Sequence, residues 1–290
     1  MTAFAVKATG LDRRLGRFHL DSVDFELPTG LVMGFVGPNG SGKTTTIKAL
    51  LGMVQPDSGA VELFDGEAPG TASTKERIGV VLDQLFVSPD WSVSSLTRRV
   101  GSFFGNWDRT AFADYLERFE ISASSRVDTL SRGESVKLSL AMALAHHPDL
   151  LILDEPTSGL DPVSRADLVD LLREFMVNPA HSILFSTHIT SDLDNLADLI
   201  VVIDNGRIAY SGTVEGLQED FAMVHGTEHL TPAAASSVMG LRRTGGRFDG
   251  LIRADATPLF GPTTVIDAAT TDDVIVHLAR RGTTQEENAS

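Results

Sequence analysis

"LVMGFVGPNGSGKTT", Leu31 to Thr45, runs from an apolar stretch through a glycine-rich turn into a string of polar residues. Leu31 to Val36 is short and nearly uniformly apolar, as a strand covered on both faces must be. Gly37, Gly42, Lys43 and Thr44 then fit the spacing G-x-x-x-x-G-K-[ST]. They lie between that strand and a helical pattern from Lys43 to Leu51, which is the setting the motif requires. Gly37, Pro38, Asn39, Gly40, Ser41, Gly42 and Thr45 form a loop whose backbone can wrap around the phosphates of a nucleotide. The positive end of the following helix adds to that attraction. Lys43 brings a point charge to the β and γ phosphates, and Thr44 offers its hydroxyl to Mg²⁺.

Three more runs share this apolar character: "LLILD" (Leu150 to Asp154), "ILFSTH" (Ile183 to His188) and "LIVVID" (Leu199 to Asp204). A helical pattern from Arg165 to Met176 lies among them, so the core reads as α/β with a mostly parallel sheet. "FAVKAT" (Phe4 to Thr9), "SVDFEL" (Ser22 to Leu27) and "AVELF" (Ala60 to Phe64) alternate instead, as half-buried strands do. Between about 86 and 145 the strand signal disappears. Phe112, Tyr115, Leu116 and Phe119 recur there at helical spacing after a candidate cap at Asp108, which predicts a helical insertion with these side chains as its core. The composition shifts again beyond Glu219, through "TPAAASS", "TGG" and "FGPTT". Weak strands near Leu251 and Val265 and a helix from Asp272 to Arg281 predict a small accessory domain over 219–282, after a main domain over 1–218. Residues 283–290 read as a disordered tail.

An open parallel sheet binds ligands outside the carboxyl ends of its strands. The run Leu150–Leu153 ends in Asp154 and Glu155, and successive residues near a strand end point different ways. Asp154 is therefore read as a Mg²⁺ ligand and Glu155 as the base that orients and deprotonates an attacking water. Asp161, just before Pro162, reads as a helix cap. In "TLSRGESVKL", Thr129 to Leu138, Ser131 and Glu134 fit a capping box at the start of an amphipathic helix. His146 and His147 close an apolar helical stretch, where a partly positive residue suits the helix dipole, and they are not read as metal ligands.

Composition narrows the function classes. Of 290 residues, 42% are hydrophobic and 22% charged, which suits a globular chain with a sizeable core. Lys and Arg number 24 against 39 Asp and Glu, for a formal charge of −15, and no segregated basic patch offsets it, so no nucleic acid partner is expected. There is no cysteine, which excludes disulfide and thiolate chemistry. The start lacks a basic segment leading into an apolar one, and no window approaches the roughly 18 apolar residues of a membrane span. The sequence thus predicts a cytosolic chain that another protein must hold wherever it works at a membrane.

The phosphate loop, "LSRGE" (Leu130 to Glu134), "LLILDEP", "SGLD" (Ser158 to Asp161) and "STH" (Ser186 to His188) follow one another in this order. Over about Phe4 to Gly216 the chain therefore resembles ATP-binding cassette (ABC) ATPases, the nucleotide-binding subunits of ABC transporters. The resemblance implies a P-loop NTPase core with a mostly parallel sheet, an N-terminal antiparallel β subdomain and a helical subdomain, here joined by a small C-terminal α+β accessory domain. It also implies Mg²⁺-dependent hydrolysis of ATP by a dimer of cassettes, homo- or heterodimeric. In that dimer Ser131, Gly133 and Glu134 of one subunit would touch ATP held by the other, and Asp161 would couple the two sites. His188 would contact the γ-phosphate and hold the water and Glu155 in register. A separately encoded transmembrane permease would anchor the dimer, as a peripheral unit, to the cytoplasmic face of the membrane. Its docking groove would involve Phe86, Val87 and Trp91, the first and last of which can equally be core.

Three departures from the family pattern stand out. Arg132 replaces the first glycine of the signature and Glu134 its glutamine. The γ-phosphate-sensing glutamine is expected where Asp83 stands, followed by Gln84, so both are candidates. Leu15 stands near the place of the aromatic that stacks on adenine, and Phe18 is the candidate substitute. "FSTHITSDLDNLADLI" and the accessory domain look similar to a branch of antibiotic or peptide exporters. The competing expectation is a soluble ABC ATPase acting on DNA or ribosomes, against which stand the single cassette, the absence of a sustained heptad pattern and the charge. A non-hydrolysing regulatory subunit is disfavoured by Glu155 and His188.

Overall fold

The computed structural model describes residues 3–278 apart from 86, 194, 195 and 228. The expectations for Phe86, for the tail and for the end of the last helix lie outside the described residues. The chain opens with β1 (Phe4–Leu15) and β2 (Phe18–Pro28), then β3 (Val32–Val36), α1 (Lys43–Leu50), β4 (Ser58–Leu63), α2 (Ala72–Glu76) and β5 (Ile78–Val81). Three helices follow, α3 (Val93–Arg99), α4 (Arg109–Arg118) and α5 (Arg132–Leu144). The chain then returns through β6 (Leu150–Asp154), α6 (Pro162–Phe175), β7 (Ser182–Thr187), β8 (Leu199–Asp204), β9 (Arg207–Thr213) and α7 (Val214–Asp220). Last come β10 (Phe221–Gly226), α8 (Pro232–Ser237), β11 (Met239–Thr244), β12 (Arg247–Arg253), β13 (Val265–Ala268) and a helix over 271–278.

Among the described residues these strands form three sheets, ordered β2-β1-β4, β5-β6-β7-β3-β8-β9 and β11-β12-β10-β13. The first and last are antiparallel, and the central one is parallel except for β9 at its edge. The uniformly apolar strands are covered on both faces. Val32 and Val36 point into a core shared with α3–α6 and the C-terminal sheet, while Met33 and Phe35 point into one shared with the N-terminal sheet. Leu151 and Leu153 of β6 separate from Leu150 and Ile152 in the same way. This is the period of two expected of a pleated strand. The N-terminal sheet is pinned by Phe25, whose ring lies 5.2 Å from that of Phe35.

In the helical segment Asp108 caps α4 by accepting from the N–H groups of Thr110 and Ala111, and Phe112, Leu116 and Phe119 are buried. Several elements differ from the sequence reading. β1 runs on to Leu15 and β2 starts at Phe18, so the two form one long hairpin. α6 begins at Pro162, three residues before Arg165, because Asp161 caps it and proline suits the first helical position. The antiparallel edge strand β9 and the elements β10, α8 and β11 were not anticipated.

Candidate functional site

Strand order assembles the site. β6, β7 and β3 are neighbours, in a register that pairs Asp154 with Ser186 and Val36 with Thr187. Their carboxyl ends therefore bring Asp154–Glu155, His188 and the Gly37–Thr45 loop to one edge. A cleft of about 470 Å³ opens there, lined by Leu15, Phe18, the loop and α1 start, Asp83, Asp154 and Glu155.

Lys43 is buried and its ammonium donates to the carbonyls of Gly37 (2.7 Å) and Pro38 (3.2 Å). It also lies 3.1 Å from Glu155 Oε1. The Thr44 hydroxyl donates to Asp154 Oδ2 at 2.8 Å, and the Ser186 hydroxyl donates to Oδ1 at 2.6 Å. Ser186 was not singled out from the sequence, although it stands within "STH". Glu155 Oε2 is 2.6 Å from His188 Nδ1. The carboxylate thus sits between a lysine and a histidine, within reach of the cleft.

The loops carrying these groups are tied behind the cleft. Thr157 donates at 2.5 Å to the buried Asp192, whose other oxygen lies 3.5 Å from Arg165 Nε. Burial pushes the Asp192 carboxyl upward from its ordinary pKa, against the opposing pull of Thr157 and Arg165. Sequence reasoning missed this link, because nothing local marks Asp192 as buried.

The candidates for the far side of a dimer lie outside the cleft of their own chain. Ser131 accepts from the Glu134 N–H and the Glu134 carboxylate accepts from the Ser131 N–H, so the capping box of α5 is formed. The Ser131 N–H is the main reason that the Glu134 carboxyl is held below its ordinary pKa. Asp161 caps α6 and accepts from the Ser164 hydroxyl at 2.6 Å, which holds its pKa low. Asp83 and Gln84 part company: Asp83 lines the cleft, whereas Gln84 lines a separate apolar groove with Leu85, Val87 and Phe104. Leu15 and Phe18 both border the cleft, and Phe18 is the ring at that edge.

His146 corrects the sequence reading. Its ring is buried, stacks on Phe104 at 4.1 Å and reaches the Ile78 carbonyl at 3.1 Å, and burial drives its pKa down, so it is no positive end to the helix. Trp91 packs beside the core under the Arg99 guanidinium, 4.4 Å from its ring, and does not line the groove that Val87 lines.

The residues suit a polyphosphate and a hard cation. A side chain at Gly37 would place its Cβ 2.1 Å from the Ile203 carbonyl oxygen, and Gly42, at φ 119°, leaves α1 without a capping side chain. Gly37 thus packs tightly against the end of β8, and the first N–H groups of α1, with no capping side chain, are left for an anion. Ser41 Oγ is buried in the loop with no hydrogen-bond partner among the described residues. Thr44 and Asp154 offer adjoining hydroxyl and carboxylate oxygens, the donor chemistry that Mg²⁺ prefers.

Residues 20–158 match the family model described as ABC transporter. The Nod factor export ATP-binding protein I of Ralstonia nicotianae is 38% identical over 68% of this chain and 64% of its own length. Its namesake from Burkholderia lata is 36% identical over 72% of this chain and 71% of its own. A solved ATP-binding subunit of an ABC transporter has the same fold, with a TM-score of 0.67 at 24% identity over 74% of this chain and 92% of that one.

Proposed function

The chain belongs to the ATP-binding cassette family of transporter proteins, and on that premise we propose that it is the Mg²⁺-dependent ATPase subunit of an exporter. The carrying observation is the convergence of Lys43, Thr44, Asp154, Glu155 and His188 at the ends of three adjacent strands. The export direction rests on the relatives, which are Nod factor export ATP-binding proteins. In this reading the loop backbone and Lys43 bind the phosphates of ATP, Lys43 exchanging a contact with Glu155 for one with the nucleotide. Glu155 takes the proton of the attacking water, and His188 holds that carboxylate in place. Thr44 and Asp154 would hold Mg²⁺, which supplies charge neutralisation at the phosphates.

Residues 1–218 form the ATPase domain with its helical subdomain at about 86–145, and 219–282 form an accessory domain. Two cassettes close on ATP, and Ser131, Gly133, Glu134 and Asp161 of each serve the other's site. Adenine stacks on Phe18. No helix among the described residues is long and apolar enough to cross a membrane. In this reading a separate membrane subunit receives the work, at the cytoplasmic face. Its docking place is the apolar groove between β5 and the helical segment, lined by Ile78, Leu85, Val87 and Phe103, the last 82% exposed.

Replacing Glu155 with Gln tests both halves of this reading. Steady-state hydrolysis should fall by about 10²- to 10⁴-fold, the worth of a general base, with ATP binding retained. Purified from its own cells in mild detergent with ATP present, the tagged variant should bring down a multi-spanning membrane protein. Undiminished turnover would remove Glu155 from its role, and capture of ribosomal or DNA-bound proteins alone would replace the transporter with a soluble machine.

A further inference from the structure

Two of the departures from the family pattern meet in space. Arg132, where the signature has a glycine, donates from Nη2 to the Asp83 carboxylate at 2.6 Å and from Nη1 to the Asp83 carbonyl at 2.5 Å. Its Nε reaches the Ser158 carbonyl at 3.3 Å. Asp83 stands where the family's phosphate-sensing glutamine is expected, and it lines the nucleotide cleft. One guanidinium thus joins the start of α5, the loop after β5 and the loop after Glu155.

The charge of the cleft gives this contact a purpose. Its charged lining is Lys43 against Asp83, Asp154 and Glu155, and Lys43 is already 3.1 Å from Glu155. Asp154 is the candidate Mg²⁺ ligand and Glu155 keeps its contact with His188 when Lys43 turns to the nucleotide, so Asp83 is the carboxylate that needs a partner of its own beside the phosphates. A neutral glutamine would not create that problem, and a glycine at 132 could not solve it.

We propose that Arg132 is a positioning residue of the nucleotide site, an ion-pair partner that screens Asp83 from the phosphates and fastens the start of α5 to the cleft of its own chain. The proposal rests on the nucleotide reading of the cleft. It makes the two departures a single compensated change: aspartate at 83 is tolerated because arginine stands at 132. It also means that the helix start offered to a partner cassette is held by a residue whose other contact faces the chain's own nucleotide.

A double-mutant cycle on the full chain, read as equilibrium binding of ATP at protein concentrations too low for dimers, tests it. Arg132→Gln should weaken ATP binding about two- to fivefold, the scale of a half-exposed ion pair. In the Asp83→Asn background the same substitution should cost nothing. The loss should shrink as salt is raised, since a charge effect at an open cleft is screened. Arg132→Lys, which keeps the charge without the fork, should fall between the wild type and Gln. Thermal midpoints of all variants identify any that fail to fold, and the Lys variant keeps the test open if the Gln variant does. An equal loss in both backgrounds, or none in either, overturns the pair. Lys43→Ala separates the two failures. If it abolishes binding while the cycle is additive, only the pair falls; if ATP binding ignores Lys43, the reading of the cleft falls with it.

Discussion

Glu155 has φ 52°, the left-handed region that glycine favours and a glutamate adopts at a cost of about 1–3 kcal/mol. Its N–H donates to the Ser186 carbonyl at 3.0 Å, and its carboxylate lies between Lys43 and His188. Those contacts hold a strained residue at the place of the proposed base, and the strain is invisible in the letters "DEP". The motif residues were legible because a phosphate loop and a strand-end carboxylate pair are local patterns. Arg132–Asp83 was not, being a contact across 49 residues that only the return of the chain to β5 creates. His146 shows the same limit from the other side. Sequence placed it at a helix end, while burial makes it neutral. The unfolded chain would bind a proton there near pH 6.5, the ordinary histidine value, and the folded chain only at lower pH. Folding stability therefore gains from this group above that value and loses it as pH falls below, because the unfolded state then binds more protons. His146→Gln keeps an N–H donor for the Ile78 carbonyl and removes the titration. Its thermal midpoint should fall less than that of the wild type between about pH 7 and 5.5; parallel curves would show that the buried ring contributes nothing to the acid sensitivity.

Among the elements, α5 joins folding and recognition at one end. Its capping box satisfies the N–H groups of Ser131 and Glu134 within the chain, so the helix start is already formed without a second cassette. Ser131→Ala should lower stability by about 0.5–2 kcal/mol through the lost cap, and Ser131→Thr should recover most of it, as denaturant midpoints would reveal. A cap substitution without cost would mean that packing of Val136, Leu138 and Leu140 alone sets the helix start. The elements read best from sequence were those with strong periodicity or uniform burial, such as α4 and β6. β9 was missed because its pattern alternates only between half-buried and exposed at the edge of the sheet, which leaves no sharp apolar face. α8 was hidden by "TPAAASS", whose composition suggests a loop even though Thr231 caps a helix there and Pro232 opens it.

For the whole molecule, the question is whether the C-terminal sheet is an attachment or part of the ATPase fold. Phe221, Met223, Met239 and Leu251 share one core with Leu193 and Leu217, and Val274, Ile275 and Leu278 of the helix over 271–278 join it. A polar tie accompanies this packing: the Thr190 hydroxyl, two residues beyond His188, donates to the Asp272 carboxylate. Thr190 is 4% exposed, so removing its partner leaves a buried hydroxyl unsatisfied. Asp272→Ala should then cost about 1–3 kcal/mol. A chain ended at Asp220 should lose more, since it exposes the apolar residues that the C-terminal sheet covers, and it should bind an apolar dye that the full chain excludes. If ending the chain at Asp220 leaves the thermal midpoint where it was, the C-terminal unit rests on the ATPase fold without supporting it. If that shortening lowers the midpoint while Asp272→Ala does not, apolar burial alone joins the two parts. A drop in both places the segment after His188 under the control of the C-terminal unit, and the rate of hydrolysis should then fall in Asp272→Ala with the apparent affinity for ATP unchanged.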